Sequence, residues 1–105
     1  MPKQNTKIAK QVAILKSLAD ETRLRIVLLL LREEKTVTEI TKNSNRAQPT
    51  ISLNLRVLEQ AGLIYKERKG RHIYYSLHEQ KVKKILDGLG FDRLRLEKLE
   101  SGDES

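Results

Sequence analysis

The segment QPTISLNLRVLEQAG, residues 48 to 62, constrains this chain more than any other part of it. From Thr50 to Val57 polar and apolar residues alternate, with Ile51, Leu53, Leu55 and Val57 set against Thr50, Ser52, Asn54 and Arg56. Alternation of this kind describes a half-buried strand, which should then close in a turn. The segment instead runs on through Leu58, Glu59, Gln60 and Ala61 before it reaches Gly62. Wound at about 100° per residue, Ile51, Leu55 and Leu58 fall on one side, and Gln48, Ser52, Arg56 and Glu59 share the opposite arc. Pro49 suits a first helical turn and Gly62 suits a stop. The spacing therefore predicts a helix over about 48–61, with Leu53 and Val57 as a lesser ridge.

The flanking segments follow from the same rules. Downstream, LIYKERKGRHIYYSL places β-favouring residues on both sides of Lys69 and Gly70, with a glycine where a positive φ is useful. This predicts a hairpin with a basic tip over about 63–77. Upstream, Ile8, Val12, Leu15 and Leu18 share one face of a helix over about 7–18. Asp20 suits the cap of a second helix that runs to Leu31, and Glu21 suits its positive end. That helix is apolar nearly all round, so it is expected to be central and buried. Thr36 and Val37 read as a short strand or bridge, Thr38 as the cap of a short helix through Lys42, and Asn43, Ser44 and Asn45 as a turn. A last helix over about 79–89 carries Val82, Ile85, Leu86 and Leu89. Phe91, Leu94, Leu96 and Leu99 extend or re-form it after Gly90, and 101–105 are expected to be disordered. There is no internal repeat and no linker, so residues 1–100 are read as one domain.

Composition narrows what such a domain can do. The 105 residues hold 21 basic and 14 acidic side chains, a net charge of +7 that favours an anionic partner. There is no cysteine, which removes disulfides, thiolate metal sites and thiol nucleophiles. The longest apolar run, Ile26 to Leu31, is far short of the roughly 20 residues that a membrane span needs. No secretory pattern opens the sequence, so no membrane partner and a cytoplasmic location are expected. An enzyme fails on inventory, with no G-x-S-x-G, no P-loop and no histidine beside a plausible acid pair. Aromatic residues are only 4%, which disfavours a stacking platform for RNA.

Two short helices around a tight turn, followed by a basic hairpin, make the layout of a winged helix-turn-helix, whose second helix enters the major groove of DNA. Charge agrees with that layout. Residues 46–72 hold six basic and two acidic side chains, net +4, whereas 90–105 hold three basic and five acidic, net −2. The fold expected is mostly α (α+β), a winged helix-turn-helix with a two-stranded β wing that dimerises through its N- and C-terminal helices. Gln48, Pro49, Thr50 and Ser52 stand in the first turns of the reading helix, where side chains reach base edges. Arg56, one turn further on, suits a phosphate. Arg68, Lys69, Gly70 and Arg71 form the wing tip, suited to a phosphate or the minor groove. Asn54 either pairs with adenine or bonds the backbone or a phosphate near the core edge. Leu53 touches a thymine methyl or packs on the neighbouring short helix. Arg23 and Arg25, beside Asp20 and Glu21, read as local ion pairs. Ala47, at the N-cap position, leaves the cap of the reading helix to water, Asn45 or a DNA phosphate, so this start is either open to an anion or an ordinary weak cap. Ile8, Val12, Leu15, Val82, Ile85, Leu86 and Leu89 are the candidate dimer interface.

Across Leu15 to Leu89 the chain resembles the ArsR/SmtB-type transcriptional repressors. LADETRLRIVLLL is similar to that family's second helix, QPTISLNLRVLEQAGLI to its recognition helix and the approach to the wing, and RKGRHIYYSL to the wing itself. The resemblance implies a homodimer that binds double-stranded DNA at an imperfect palindrome and represses a promoter. Two departures bear on what it senses. The family's thiolate motif ELCVCDL aligns with EKTVTEI, Glu34 to Ile40, so both cysteine positions are threonine, Thr36 and Thr38. Zinc sensing through the last helix needs an aspartate, two histidines and a further ligand, whereas this one offers Glu79, Asp87 and only His78. No metal and no cofactor are therefore expected. The competing reading is a winged helix used for protein association without specific DNA binding.

Overall fold

A computed structural model describes residues 3–91, with side chains from Thr6 onward. The predicted extension through Leu94, Leu96 and Leu99, and the tail 101–105, lie outside the described residues. The element order is α1 (Lys3–Leu18), α2 (Glu21–Arg32), β1 (Lys35–Thr36), α3 (Val37–Lys42), α4 (Gln48–Gln60), β2 (Ile64–Lys69), β3 (His72–Leu77) and α5 (Glu79–Gly88). The hairpin β2–β3 is antiparallel, pairing Ile64 with Leu77 at its base and Lys69 with His72 at its end. The sheet has three strands in the order β1-β3-β2, because β1 adds to β3 through Lys35–Tyr75 and Thr36–Tyr74. The two-stranded wing thus stands on a short third strand that ties it to the end of α2.

Each boundary has a local cause. Asp20 caps α2, its carboxylate accepting from the Arg23 N–H at 3.0 Å. The next cap differs from the sequence expectation: Thr36, not Thr38, starts α3, and β1 covers Lys35–Thr36 rather than Thr36 and Val37. The reason is a capping box. Thr36 Oγ1 accepts from the Glu39 N–H at 3.2 Å, while the Thr36 N–H donates to Glu39 Oε1 at 2.9 Å. The Thr36 N–H bond, joined by one from the Thr36 hydroxyl to Glu39 Oε1 at 3.1 Å, favours the ionised form and holds the Glu39 carboxyl below its ordinary value. α4 ends in a Schellman motif: Gly62, at φ +78°, donates to the Glu59 carbonyl, and the Leu63 N–H reaches back to the Leu58 carbonyl at 3.1 Å. Leu58 and Leu63 are both fully buried, as the motif's hydrophobic contact requires.

The core gathers Leu18 of α1, Ile26, Val27, Leu30 and Leu31 of α2, Ile40 of α3, Ile51, Leu55 and Leu58 of α4, Leu63, Ile64 and Leu77 at the wing base, and Val82 and Leu86 of α5. Two expectations change here. Val82 and Leu86 are at 0% exposure within the protomer, so they are core residues and are not available to a second copy. α2 is central but not covered all round, since Leu24, Leu28 and Leu29 are only half-buried. Ile8, Val12, Leu15 and Leu89 are instead exposed, at 59%, 40%, 61% and 58%, and Ile85 is half-buried.

One polar clamp joins three helices. Arg23 Nε donates to the Ser17 carbonyl at 2.6 Å and Nη2 to the Lys16 carbonyl at 3.3 Å, closing the C-terminal end of α1, while Nη1 donates to Asn54 Oδ1 at 3.0 Å on α4. Arg25, as expected, simply pairs with Glu21 one turn away at 3.1 Å in an exposed contact. Arg23→Ala removes three bonds from one guanidinium and should lower the unfolding free energy by about 2 kcal/mol in a urea titration. Arg25→Ala should leave the midpoint unchanged.

Candidate nucleic-acid interface

α3 and α4 are joined by residues 43–47, and the turn satisfies its own polar groups. Asn43 donates from its backbone N–H to the Glu39 and Ile40 carbonyls and from Nδ2 to the Glu39 carbonyl at 2.8 Å. Ser44 Oγ donates to the Thr41 carbonyl and accepts from the Arg46 N–H at 3.2 Å. The chain then enters α4 through Ala47 in extended geometry, with Pro49 in the first turn and no side-chain hydrogen bond to the helix start. The leading N–H groups of α4 are therefore left to solvent or a ligand, at the helix end that carries partial positive charge.

α4 packs Ile51, Leu55 and Leu58 into the core and turns its other faces outward. Gln48, Pro49, Thr50, Ser52 and Arg56 are all exposed, so the residues proposed to meet DNA share the open side of one helix. Leu53 joins them at 61% exposure rather than packing on α3. The alternation in the sequence placed Leu53 on a lesser ridge, but α3 is only six residues long and does not reach over it. Asn54 is half-buried and its amide is engaged at both ends, accepting from Arg23 and donating from Nδ2 to the Thr50 carbonyl at 2.9 Å. The Arg23 bond holds α4 against the α1–α2 corner, and the Thr50 bond is one to the backbone of α4 itself.

The wing projects from the core beyond Ile64 and Leu77. Lys66, Arg68 and Arg71 are exposed, and Gly70 with Arg71 forms the two-residue loop at the tip. Lys69 differs from its neighbours. Its Nζ sits 2.7 Å and 2.9 Å from the two carboxylate oxygens of Glu34, with Glu67 at 3.9 Å and the Tyr74 ring centre 5.8 Å away. Ser76 Oγ approaches the same Glu34 carboxylate at 3.4 Å. Lys69 therefore straps the wing to the α2–β1 junction, a role that spacing alone did not reveal because the pair is 35 residues apart in sequence. The hydrogen bond to Glu34 raises the Lys69 pKa. A raised amine pKa means that the strap is fully present below the ordinary lysine value and is lost as pH rises through the folded value.

The remaining aromatic residues serve the frame. Tyr75 packs against the core, Tyr65 lies against His78 with ring centres 4.7 Å apart, and His72 meets Tyr74 edge-on at 6.4 Å. Among the described residues no three His, Cys, Asp or Glu side chains gather where they could hold a metal ion, and Thr36 is occupied as the cap of α3. Among the described residues, no helix is long and apolar enough to cross a membrane.

A short helix, a satisfied turn, a longer helix with an open uncapped start and a basic hairpin beside it define a winged helix-turn-helix DNA-binding module. Residues 20–66, from the cap of α2 to the middle of β2, match the model of the arsR family of bacterial regulatory proteins. The arsenic resistance transcriptional regulator ArsR1 of Pseudomonas putida is 44% identical over 68 residues, which cover 64% of this chain and 53% of that one, so the match spans about half of that relative's length. A biofilm growth-associated repressor of Agrobacterium fabrum is 37% identical over 84 residues, 79% of this chain and 72% of that one. HlyU of Vibrio cholerae, named a transcriptional activator, is 32% identical over 79 residues, 75% of this chain and 73% of that one. A solved structure of HlyU aligns 79% of this chain with 90% of its own at TM-score 0.72 and 31% identity. The chain belongs to the arsR family: it is a DNA-binding transcriptional regulator of the winged-helix type and not an enzyme.

The strap is checked by lysine reactivity. Under limiting acetylation at pH 8, Lys69 should react more slowly than exposed Lys66, and Glu34→Gln should raise its rate several-fold with Lys66 unchanged, as read by peptide mass spectrometry.

Proposed function

We propose that this chain is a homodimeric repressor that binds an imperfect palindrome in double-stranded DNA, each protomer laying the start of α4 in the major groove and its wing along the flanking backbone. The observation that carries this reading is the exposed, uncapped first turn of α4 beside a basic hairpin. A DNA phosphate at that helix start supplies the missing cap partner, since its oxygens accept from the free N–H groups and suit the helix dipole. Gln48, Thr50 and Ser52 face base edges, and Arg56, Arg68 and Arg71 neutralise phosphates. Leu53 adds an apolar contact that suits a thymine methyl. Asn54 and Lys69 act one step back, as the residues that hold α4 and the wing in position. The protein works in the cytoplasm, where bacterial operator DNA lies.

The dimer reading rests on α1. Ile8, Val12 and Leu15 form an exposed apolar stripe at helical spacing, and such a stripe asks for a covering partner. Leu89 and half-buried Ile85 complete the candidate surface, now without Val82 and Leu86. An isologous contact of this kind sets the two reading helices about one DNA turn apart. Ile8→Asp combined with Leu15→Asp should convert the protein to monomer in sedimentation velocity while the circular dichroism spectrum stays helical; an unchanged sedimentation coefficient would reject this interface.

Anisotropy titrations against duplex DNA over a range of salt test the DNA contacts. Log affinity should fall steeply with log salt, and Arg56→Ala and Arg71→Ala should each flatten the slope by about one unit. Lys69→Ala should change the slope less, because its ammonium already faces Glu34. A weak, salt-independent response would favour a protein-association module. The name of HlyU favours activation as a second reading, and a reporter driven by the selected operator separates the two by the sign of its response.

A further inference from the structure

The half-covered side of α2 opens on a groove that runs the length of the helix. Leu24, Leu28 and Leu29 form its apolar floor, Arg25 and Arg32 line it, and the turn residues Asn45 and Arg46 stand at one end. Phe91, the last described residue, lines this groove and packs against the core. It is aimed there by the way α5 stops. The Gly90 N–H donates to the Asp87 carbonyl at 3.0 Å and the Phe91 N–H to the Leu86 carbonyl at 2.8 Å. These two bonds make a Schellman motif, with Phe91 and buried Leu86 as its apolar pair. The chain thus leaves α5 already seated on α2.

We propose that residues 92–105 of the same chain occupy this groove, covering Leu24, Leu28 and Leu29 and bracing the turn before α4. Three observations select this occupant. The segment starts at a residue already in the groove, so its local concentration there is high. It brings Leu94, Leu96 and Leu99 to an apolar floor that lacks a cover among the described residues, and five acidic against three basic side chains, net −2, to a rim where exposed Arg46 stands beside the Arg25–Glu21 pair. Its length also suffices. α2 has 12 residues and spans about 18 Å, and a chain of this length reaches that distance whether helical or extended. Docking links the end of the chain to residues 43–46, the turn that sets the pose of the reading helix.

The absence of native cysteine makes the test clean, because two introduced thiols are the only ones present. In the full chain, Arg25→Cys or Asn45→Cys is combined with Glu97→Cys or Glu100→Cys, and Leu53→Cys on the exposed side of α4 serves as the control partner. All three groove and control positions are exposed, so the fold is retained. Under mild oxidation at least one groove pair should form an intrachain disulfide ten or more times faster than the matching Leu53→Cys pair, read by non-reducing electrophoresis and peptide mass spectrometry. Rates within tenfold of the control for every pair would overturn the proposal. Disulfides that form only between chains would also overturn it and assign the groove to a second copy. Neither readout involves DNA, so the result stands apart from the operator-binding reading.

Discussion

Burial of Ile51, Leu55 and Leu58 against α2 is the contact on which the rest of this molecule depends. Those three side chains point α4 inward along one line, and the helical repeat then carries Gln48, Thr50, Ser52 and Arg56 outward with no further instruction. The burial sets which way α4 faces but not how far it slides. That is settled by the polar clamp, in which one guanidinium bonds two carbonyls at the end of α1 and the Asn54 side chain on α4. An arginine suits the position because its planar fork can serve several acceptors in fixed directions. The helix proposed to meet DNA is thus held by an apolar ridge on one side and by a charge-assisted bond on the other.

The wing is built on a different principle. Past Ile64 and Leu77 it has almost no core beneath it, and a hairpin of two strands alone is marginally stable in water. Two devices compensate. β1 adds a third strand at the base, and Glu34, one residue before β1, takes Lys69 from the far end of β2. The strap pairs one cation of the basic tip and in return fixes the hairpin against α2, leaving Lys66, Arg68 and Arg71 as the exposed basic side chains of the wing outside that pair. A net +4 over residues 46–72 therefore overstates the charge that faces outward, since Lys69 and Glu34 neutralise each other.

Much of this was legible from residue order. α4, the turn before it and the hairpin after it each announce themselves through local chemistry: a proline in the first turn, an apolar line at helical spacing, Gly62 after the last turn and a glycine at the wing tip. The errors are equally instructive. Thr36 and Thr38 are both good caps, and only the reach of the Glu39 side chain back to the Thr36 N–H decides between them. Val82 and Leu86 share an amphipathic face with Ile85 and Leu89, and periodicity identifies such a face without saying whose core it enters. Leu53 reads either as an outward apolar contact or as a packing residue of α3, and its 61% exposure removes the second.

What the sequence by itself determined is the set of elements, their order and the winged helix-turn-helix class, because those rest on interactions within a turn or two of the chain. What only the tertiary structure decided is which apolar faces are internal, which charges are already paired and where the reading helix is locked. Arg23 with Asn54 spans 31 positions and Lys69 with Glu34 spans 35, so each partner is a surface residue in its own neighbourhood and a structural one in the fold. Local pattern reports the side of a helix that avoids water, whereas the distance between two charges exists only after the chain has closed.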